Sequence, residues 1–334
     1  MNNAFAKRVA FWSVAPLVFF ALLGFLLQWM AGQGIGFFDW WFYGEVALTG
    51  LLVGVRYSLV ALGFVLIFKA SGVFNFAQGS MVLFAALTFV GLLEMGIPLW
   101  GALPITLVVM WLLAVVIERV VLRPLVNQEH IILFMATIGI FYFLEGGGQL
   151  LWGSQVRVLD IGLPSGRLQL FDGSIQLQEF ELVTAAIAGL LVAVLAVFFN
   201  KTRVGRALRA VADDHQAALS VGIPLKAIWV IVWTVAGIVA LVAGITWGSD
   251  LGVQPTLALT ALKALPVLIL GGFTSIPGAI IGGLIIGAGE QVGEVFFGSL
   301  VGGAIQDWFA YMLALVFLLF RPQGLFGERI IERV

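Results

Sequence analysis

The sequence contains no cysteine and only two histidines, and each shortage excludes a kind of chemistry. Without cysteine the chain can form no disulfide, no thiolate nucleophile and no cysteine-ligated metal site. His130 and His215 lie in predicted polar segments, which does not favour a histidine metal site. The phosphate-binding motif G-x-x-x-x-G-K-[ST] is missing, as are H-E-x-x-H and G-x-S-x-G. We therefore predict no catalytic residue, no metal site and no cofactor in this chain, and no enzymatic activity.

Charge is scarce as well. Only 10% of the residues are charged, whereas 61% are hydrophobic and the mean hydropathy is +1.10. No water-soluble domain needs so much apolar surface, so the composition predicts an all-α, polytopic membrane protein. The net charge of -1 gives no sign of a nucleic-acid partner. The 41 glycines are spread through the apolar runs, which favours close packing of helices.

The apolar runs predict about ten transmembrane helices in one membrane domain that covers residues 1–334. Several runs are shorter than the ~20 residues of a full span, so eight spans with a re-entrant pair remain an alternative. The first run follows Lys7 and Arg8 and is too long for the core of a removable signal peptide. The ten runs are 10–31, 46–68, 77–95, 98–121, 131–151, 183–200, 228–248, 256–270, 277–297 and 303–320.

The distribution of Lys and Arg fixes the predicted orientation. With ten spans and an internal N-terminus, two basic residues, Arg157 and Arg167, fall outside, and Arg56 and Lys263 lie within spans. Because basic residues concentrate in cytoplasmic loops, this bias predicts that both termini are cytoplasmic. The thirteen basic residues on the inner side are Lys7, Arg8, Lys69, Arg119, Arg123, Lys201, Arg203, Arg206, Arg209, Lys226, Arg321, Arg329 and Arg333.

The outer side carries one long loop, 152–182. Its apolar and polar residues alternate around Gly and Pro turns, which predicts a small β-rich cap or hairpin. The loop could support an external partner, or it could only cover helix ends. The aromatic segment 37–43 is interpreted as an interfacial belt before the second span.

Two glycine-punctuated breaks place polar side chains beside the membrane. The first, 72–80, carries Asn75, Gln78 and Ser80, and the second, 271–278, carries Ser275. Non-helical backbone at membrane depth needs protein or a water-filled path to satisfy it, and in transporters such breaks often mark the pathway. We assign these four side chains to the translocation pathway; ordinary tight turns are the alternative.

Three of the ionisable residues within the apolar runs are candidates for the pathway. Arg56 lies near the middle of the second run, where a charge must face the bundle interior or water. Glu145 in the fifth run is a candidate partner for Arg56, as is a substrate carboxylate. Lys263 could line the pathway or bond the carbonyls that Pro266 frees. We assign Arg56, Glu145 and Lys263 to the pathway, with a structural Arg56–Glu145 pair as the alternative.

Glycines in the ninth run recur at four-residue spacing. Gly283 and Gly287 form one G-x-x-x-G pair, a spacing that lets helix backbones approach closely. Glu290 and Glu294 continue this stripe, facing either an outer vestibule or the headgroup region.

The longest polar loop on the inner side runs from Lys201 to Lys226. Asp213 or Asp214 can cap a short helix, and Gln216 falls three residues after Asp213 as in a capping box. Gly222 suits a left-handed C-terminal residue, and Pro224 prevents the helix from continuing. Just upstream, three arginines spaced three apart predict one side of another short helix. A basic loop that only fixes topology is the alternative.

Six stretches, in order and at fitting intervals, resemble the permease subunits of ABC importers of the branched-chain amino acid type. The resemblance covers most of the chain between about residues 46 and 327. Its stretches are GVFNFAQGSM (72–81), LRPL (122–125), ATIGIFYFLEGGGQLLWG (136–153), TRVGRALRAVADDHQAALSVGI (202–223), LKALPVLILGGFTSIPGAIIGG (262–283) and FRPQGLFG (320–327).

The resemblance implies that the loop 201–227 docks on a cytoplasmic ATPase. Gln216 stands where the family usually has Glu, which removes a charge from the docking motif. Arg56 also departs from the family, where a small or uncharged residue is expected. The coupling residues implied are Arg203, Arg206, Arg209, Asp213, Asp214, Gln216, Ala217, Ala218 and Gly222.

The function implied is that of an inner-membrane permease in an ATP-driven importer. Its substrates would be branched-chain or other amino acids, or related solutes such as urea, amides or organic acids. The implied partners are a second permease, two ATPase subunits that carry ATP and Mg, a periplasmic solute-binding protein and the lipid bilayer. An ion-coupled secondary transporter is the alternative, and Glu145 is its single deeply placed acidic candidate.

Overall fold

The computed structural model describes residues 40–72, 74–125, 128–213, 218 and 220–327. Within these residues the chain is mainly α-helical, with one two-stranded antiparallel sheet. The elements are α1 (Trp40–Ser71), α2 (Gln78–Glu94), α3 (Leu99–Val116) with a π-helical extension (Ile117–Leu122), α4 (His130–Trp152), β1 (Arg167–Leu170), β2 (Ile175–Gln178), α5 (Glu179–Lys201), α6 (Arg203–Asp213), α7 (Leu225–Leu251), α8 (Thr256–Leu262), α9 (Ala264–Gly271), α10 (Ile276–Val301) and α11 (Ile305–Phe320).

Six of the described helices are long and apolar enough to cross a membrane, so this is a multi-pass membrane protein. Three further predicted runs correspond to shorter apolar helical segments, Gln78–Glu94, Thr256–Gly271 and Ile305–Phe320, of which the second is divided at Lys263. The first predicted run, 10–31, lies outside the described residues. The total of about ten spans and the position of the termini therefore stay predictions. The six long segments are Trp41–Ser71, Leu99–Leu122, Ile131–Trp152, Glu179–Lys201, Leu225–Leu251 and Ile276–Gly298.

The predicted run 256–270 is not one continuous helix. The structure divides it at Lys263 into α8 and α9, and the Lys263 amide donates to the carbonyl of Thr260 at 3.1 Å. Pro266 has no amide hydrogen and cannot make the helical bond to residue 262, which explains a break at this point. Lys263 is half-buried.

The described backbone groups into two compact units. The first comprises the described parts of 1–58, 164–186 and 265–334, and the second comprises those of 59–163 and 187–264. The prediction of a single domain is not tested by this division.

In the second unit α2 is central: most of its residues are buried, and it packs against α3, α4, α7 and α8. A helix that is apolar all round is suited to this enclosed position.

The first unit contains the predicted hairpin. β1 and β2 pair in the register Arg167↔Gln178 to Leu170↔Ile175. On β2, Ile175 and Leu177 are buried while Gln176 and Gln178 are exposed, which is the alternation seen in the sequence. The prediction of a small hairpin in 152–182 is confirmed. In the same unit α10 packs against α11, and the Glu294 side chain accepts a hydrogen bond from the amide of Gln306 at 3.1 Å.

Candidate functional site

The turn between α5 and α6 is fixed by one threonine and one glycine. The Thr202 hydroxyl donates to the carbonyl of Phe198 at 2.6 Å and accepts from the amide of Gly205 at 3.1 Å. Thr202 thus closes the end of α5 and caps the start of α6. At Gly205 any side chain would collide with the backbone of Phe199. The turn is therefore tight and rigid.

The three arginines of α6 have different roles. Arg203 and Arg206 are exposed, whereas Arg209 is half-buried, and its Nη1 donates to the carbonyl of Phe199 at 2.6 Å. Arg209 thereby satisfies one of the free carbonyls at the end of α5. On the opposite side of α6, Leu208 and Val211 are buried, and α6 packs against α7. The predicted helix with an arginine face is confirmed, but Arg209 also stabilises the turn.

The second half of the loop is described only in part. Asp213 is the last residue of α6. The N-cap at Asp213 or Asp214 therefore stays a prediction. Asp214, Gln216 and Ala217 lie outside the described residues. Ala218 is 2% exposed.

The predicted end of this loop's helix is confirmed. Gly222 has φ +82°, which places it in the left-handed region that favours glycine. The amide of Ile223 then donates to the carbonyl of Ala218 at 3.0 Å, as is typical of a helix C-terminus. Pro224 follows and precedes α7.

The first predicted break carries three completely buried polar side chains, Asn75, Gln78 and Ser80. Asn75 Oδ1 accepts from the amide of Ala77 at 3.1 Å, and Gln78 Nε2 donates to the carbonyl of Ala236 at 3.3 Å. The Ser80 hydroxyl donates to the carbonyl of Ala77 at 2.9 Å. These bonds hold the break in place within the second unit. The assignment of the three residues to a pathway stays a prediction.

Two atoms of this break keep unused hydrogen-bonding capacity. Asn75 Nδ2 and Gln78 Oε1 are buried and have no partner within the described parts of the chain. A buried polar atom without a partner costs about 1–3 kcal/mol. The break therefore carries one donor and one acceptor that a polar solute could satisfy.

The second predicted break is the N-terminus of α10. Ser275 precedes α10, and its Oγ accepts from the amide of Gly278 at 3.0 Å, so it is an N-cap. The chain after α11 folds back onto this break: the amides of Leu325 and Phe326 donate to the carbonyls of Leu270 and Gly271 at 2.8 and 3.1 Å. The FRPQGLFG stretch therefore closes the end of α9, and Ser275 has a structural role besides any role in a pathway.

The intramembrane charges occupy both units. Arg56 is 5% exposed and belongs to the first unit, whereas Glu145 is half-buried on α4 in the second. The predicted Arg56–Glu145 pair thus stays a prediction. Electrostatic neighbours of Tyr57, the residue after Arg56, are Arg56 itself, Glu290 and Asp307.

Glycines bring α1 and α10 into close contact, and the sequence analysis identified only the glycines on α10. A methyl group added to Gly50 would lie 2.6 Å from Ala288 Cα, and one added to Gly54 would lie 2.5 Å from the Gly283 carbonyl oxygen. Gly54 follows Gly50 along α1, whereas its contact Gly283 precedes Ala288 along α10. The two helices therefore run antiparallel. The Ser58 hydroxyl extends the contact, lying 2.8 Å from the Gly54 carbonyl oxygen and 3.0 Å from that of Ile280.

The buried pair of Tyr57 and Glu290 was missed in the sequence analysis. The Tyr57 hydroxyl donates to Glu290 Oε2 at 2.9 Å, and Glu290 is 3% exposed. This finding corrects the interpretation that Glu290 faces a vestibule or the headgroup region. One signal was available: Tyr57 follows Gly54 by three residues, and Glu290 follows Gly287 by three, so each polar residue lies one turn beyond a glycine.

Removing the hydroxyl of Tyr57 tests this pair. We expect Tyr57→Phe to lower the stability of the first unit by about 1–3 kcal/mol, because a buried carboxylate loses a hydrogen-bond donor. The control is Tyr142→Phe on α4, where the ring is 67% exposed and a change within about 0.5 kcal/mol is expected. Thermal unfolding in detergent measures both. Equal melting temperatures for the two variants would contradict the stabilising role of the Tyr57 hydroxyl.

Comparisons with known proteins identify the family to which the chain belongs. Residues 46–321 match the family described as "Branched-chain amino acid transport system / permease component". The high-affinity branched-chain amino acid transport system permease protein BraD of Pseudomonas aeruginosa is 30% identical over 306 residues, which cover 87% of this chain and 98% of the relative.

A second relative gives the same result. The high-affinity branched-chain amino acid transport system permease protein LivH of Escherichia coli (strain K12) is 30% identical over 316 residues, covering 88% of this chain and 98% of the relative. Among solved structures, PsaBC from Streptococcus pneumoniae in complex with Fab aligns with 88% of this chain and 94% of its own, at 14% identity and a TM-score of 0.43. The family match and the two full-length relatives confirm the resemblance: the chain belongs to the family of permease components of branched-chain amino acid transport systems.

Proposed function

We propose that this chain forms one permease of an ATP-driven importer of branched-chain amino acids in the cytoplasmic membrane. The family match over 46–321 and the names of the two relatives support this substrate class. The six long apolar helices support a route across a membrane. An ion-coupled transporter is not favoured, because the family is one of permease components.

The observation that carries the ATP-driven mechanism is the anchoring of α6. On one side Thr202, Gly205 and Arg209 fix α6 to the end of α5, and on the other side Leu208 and Val211 are buried where α6 packs against α7. A force on α6 is therefore transmitted to two apolar helices without bending the turn. This is the mechanical property that a coupling element between an ATPase and a permease needs.

The proposed partners follow from this role. Two ATPase subunits carry ATP and Mg and dock on the loop 201–227, a second permease completes the pore, and a periplasmic binding protein delivers the solute. The exposed Arg203 and Arg206 supply positive charge for the docking surface. The bias of thirteen inner against two outer basic residues supports a cytoplasmic position for this loop and for both termini, and a periplasmic position for the hairpin.

The pathway residues remain part of the proposal. The unused Asn75 Nδ2 and Gln78 Oε1 offer one donor and one acceptor to a passing polar solute. Arg56 and Glu145 supply charge within apolar helices, and Lys263 supplies it at the break between α8 and α9.

Reconstitution tests the proposed function. The permease, its ATPases and its binding protein are placed in proteoliposomes, and uptake of radiolabelled L-leucine is measured with and without ATP. We expect uptake to require ATP and to persist when ionophores dissipate ion gradients, and we expect the purified permease alone to hydrolyse no ATP. Complexes with a catalytically inactive ATPase are the control. Uptake that is abolished by ionophores and independent of ATP would overturn the proposal.

A further inference from the structure

A polar cavity of about 260 Å³ lies within the first unit, at the hairpin. Four elements contribute its walls: the start of α1, the β1–β2 hairpin, the first turn of α5 and α10. The lining residues are Glu45, Val46, Thr49, Arg167, Gln176, Gln178, Glu181 and Gln291.

The hairpin is fixed onto α1 beside this cavity. The amide of Gln176 donates to Glu45 Oε2 at 2.9 Å, and the rings of Trp41 and Phe171 lie 5.1 Å apart. Arg167 stands opposite Gln178 in the strand register, which brings the guanidinium to the same side of the hairpin as the glutamines. The cavity is therefore a built feature of the unit and not a gap between loose segments.

The cavity lining carries charges of both signs. Glu45 and Glu181 carry negative charge, Arg167 carries positive charge, and the other polar groups are three carboxamides and one hydroxyl. Within the described residues, the Arg167 side chain forms no ion pair or hydrogen bond, so the guanidinium is available to a carboxylate. The carboxylates of Glu45 and Glu181 provide acceptors for an ammonium group.

Val46 is the single apolar residue in this lining, whereas most small-molecule pockets are lined mainly by apolar side chains. A branched aliphatic side chain would therefore gain little by burial here. We propose that this cavity binds an α-amino acid by its two charged groups, with the carboxylate at Arg167 and the ammonium at Glu45 and Glu181, without selecting the side chain. The proposal rests on the proposed function and deepens it: the permease recognises the amino-acid head, and selection among side chains takes place elsewhere.

Direct binding tests the cavity. The permease complex with its ATPases, in nanodiscs and without the binding protein, is titrated with L-leucine and followed by saturation-transfer difference NMR. We expect binding of L-leucine, and binding about tenfold weaker or worse for isocaproate, which lacks the ammonium group, and for leucinol, which lacks the carboxylate.

Two variants locate the binding. Arg167→Gln and Glu181→Gln should each weaken L-leucine binding by about tenfold. The matched control is Glu179→Gln, which removes an equal charge from the first turn of the same helix outside the cavity and should leave binding unchanged. Tight binding of isocaproate or leucinol, or identical affinities for Glu181→Gln and Glu179→Gln, would overturn the inference.

The uptake assay separates this inference from the proposed function. If ATP-dependent uptake of L-leucine is intact and the cavity variants bind L-leucine like the control, the cavity inference alone fails. If no amino acid is taken up, the proposed function fails. If Glu181→Gln weakens attachment of the binding protein but the complex alone binds no L-leucine, the cavity is a protein-docking surface and the inference is overturned.

Discussion

Gly54→Leu should abolish accumulation of folded permease, because the residue lies where the backbones of α1 and α10 touch. Even a methyl group at this position would lie 2.5 Å from the Gly283 carbonyl oxygen and 2.9 Å from Leu284 Cα. Both neighbours are main-chain atoms, so no side chain can rotate away. Overpacking a tight contact usually costs 1–3 kcal/mol, and a whole leucine side chain against backbone exceeds that range. A domain of ordinary stability has little reserve against such a loss.

Gel filtration of fluorescently tagged protein from solubilised membranes measures this effect. The control is Gly146→Leu on α4, another glycine within a long apolar helix, which has no atom within 4 Å of an added methyl group. We expect a monodisperse peak for Gly146→Leu, a reduced peak for Gly54→Ala and none for Gly54→Leu. A normal peak and melting temperature for Gly54→Leu would show that the two helices do not meet at their glycines.

Reversing both exposed charges of α6, in Arg203→Glu with Arg206→Glu, should separate the permease from its ATPases while the membrane helices stay folded. Neither side chain is buried. Arg206 Nη1 donates to the carbonyl of Lys201 at 3.4 Å, but the shorter bonds of the turn are made by Thr202 and Arg209. Like charges facing each other across an interface cost several kcal/mol. We expect ATP-dependent uptake of L-leucine to fall by at least about tenfold, the equivalent of about 1.4 kcal/mol.

Co-purification of the ATPases and the uptake rate are the two measurements. The control is Arg321→Glu. Arg321 is an exposed basic residue after α11, outside the loop, and the charge distribution predicts that it too lies on the inner side. This variant should retain the ATPases and most of the uptake. Normal uptake and co-purification in the double variant would count against the assignment of α6 to the docking surface.

The sequence predicted features that depend on local patterns. Apolar runs located the long described helices, alternation located the hairpin, and glycine and proline located the end of the short helix at Gly222 in the loop 201–227. Each of these signals lies within a few residues of the feature that it predicts, and burial of the apolar face then stabilises it.

The features missed in the sequence depend on contacts between distant segments. Tyr57 and Glu290 are 233 residues apart, and a single chain carries no mark that pairs them. The glycines of α1 that contact α10 were overlooked, because a G-x-x-x-G spacing on one helix does not show which other helix packs against it. The sequence analysis assigned Arg209 to the docking surface alone. Its second role, stabilising the turn between α5 and α6, depends on the Phe199 carbonyl, whose position the sequence does not show.

The contact between α1 and α10 also has a consequence for biosynthesis. The ribosome completes the glycine face of α1 more than 200 residues before α10 exists. During that interval α10 cannot cover the face, so lipid, the insertion apparatus or another part of the chain must occupy it. When Glu290 is synthesised, the Tyr57 hydroxyl that donates to it already exists, so the early helix supplies the hydrogen-bond partner for the buried carboxyl group of the late one.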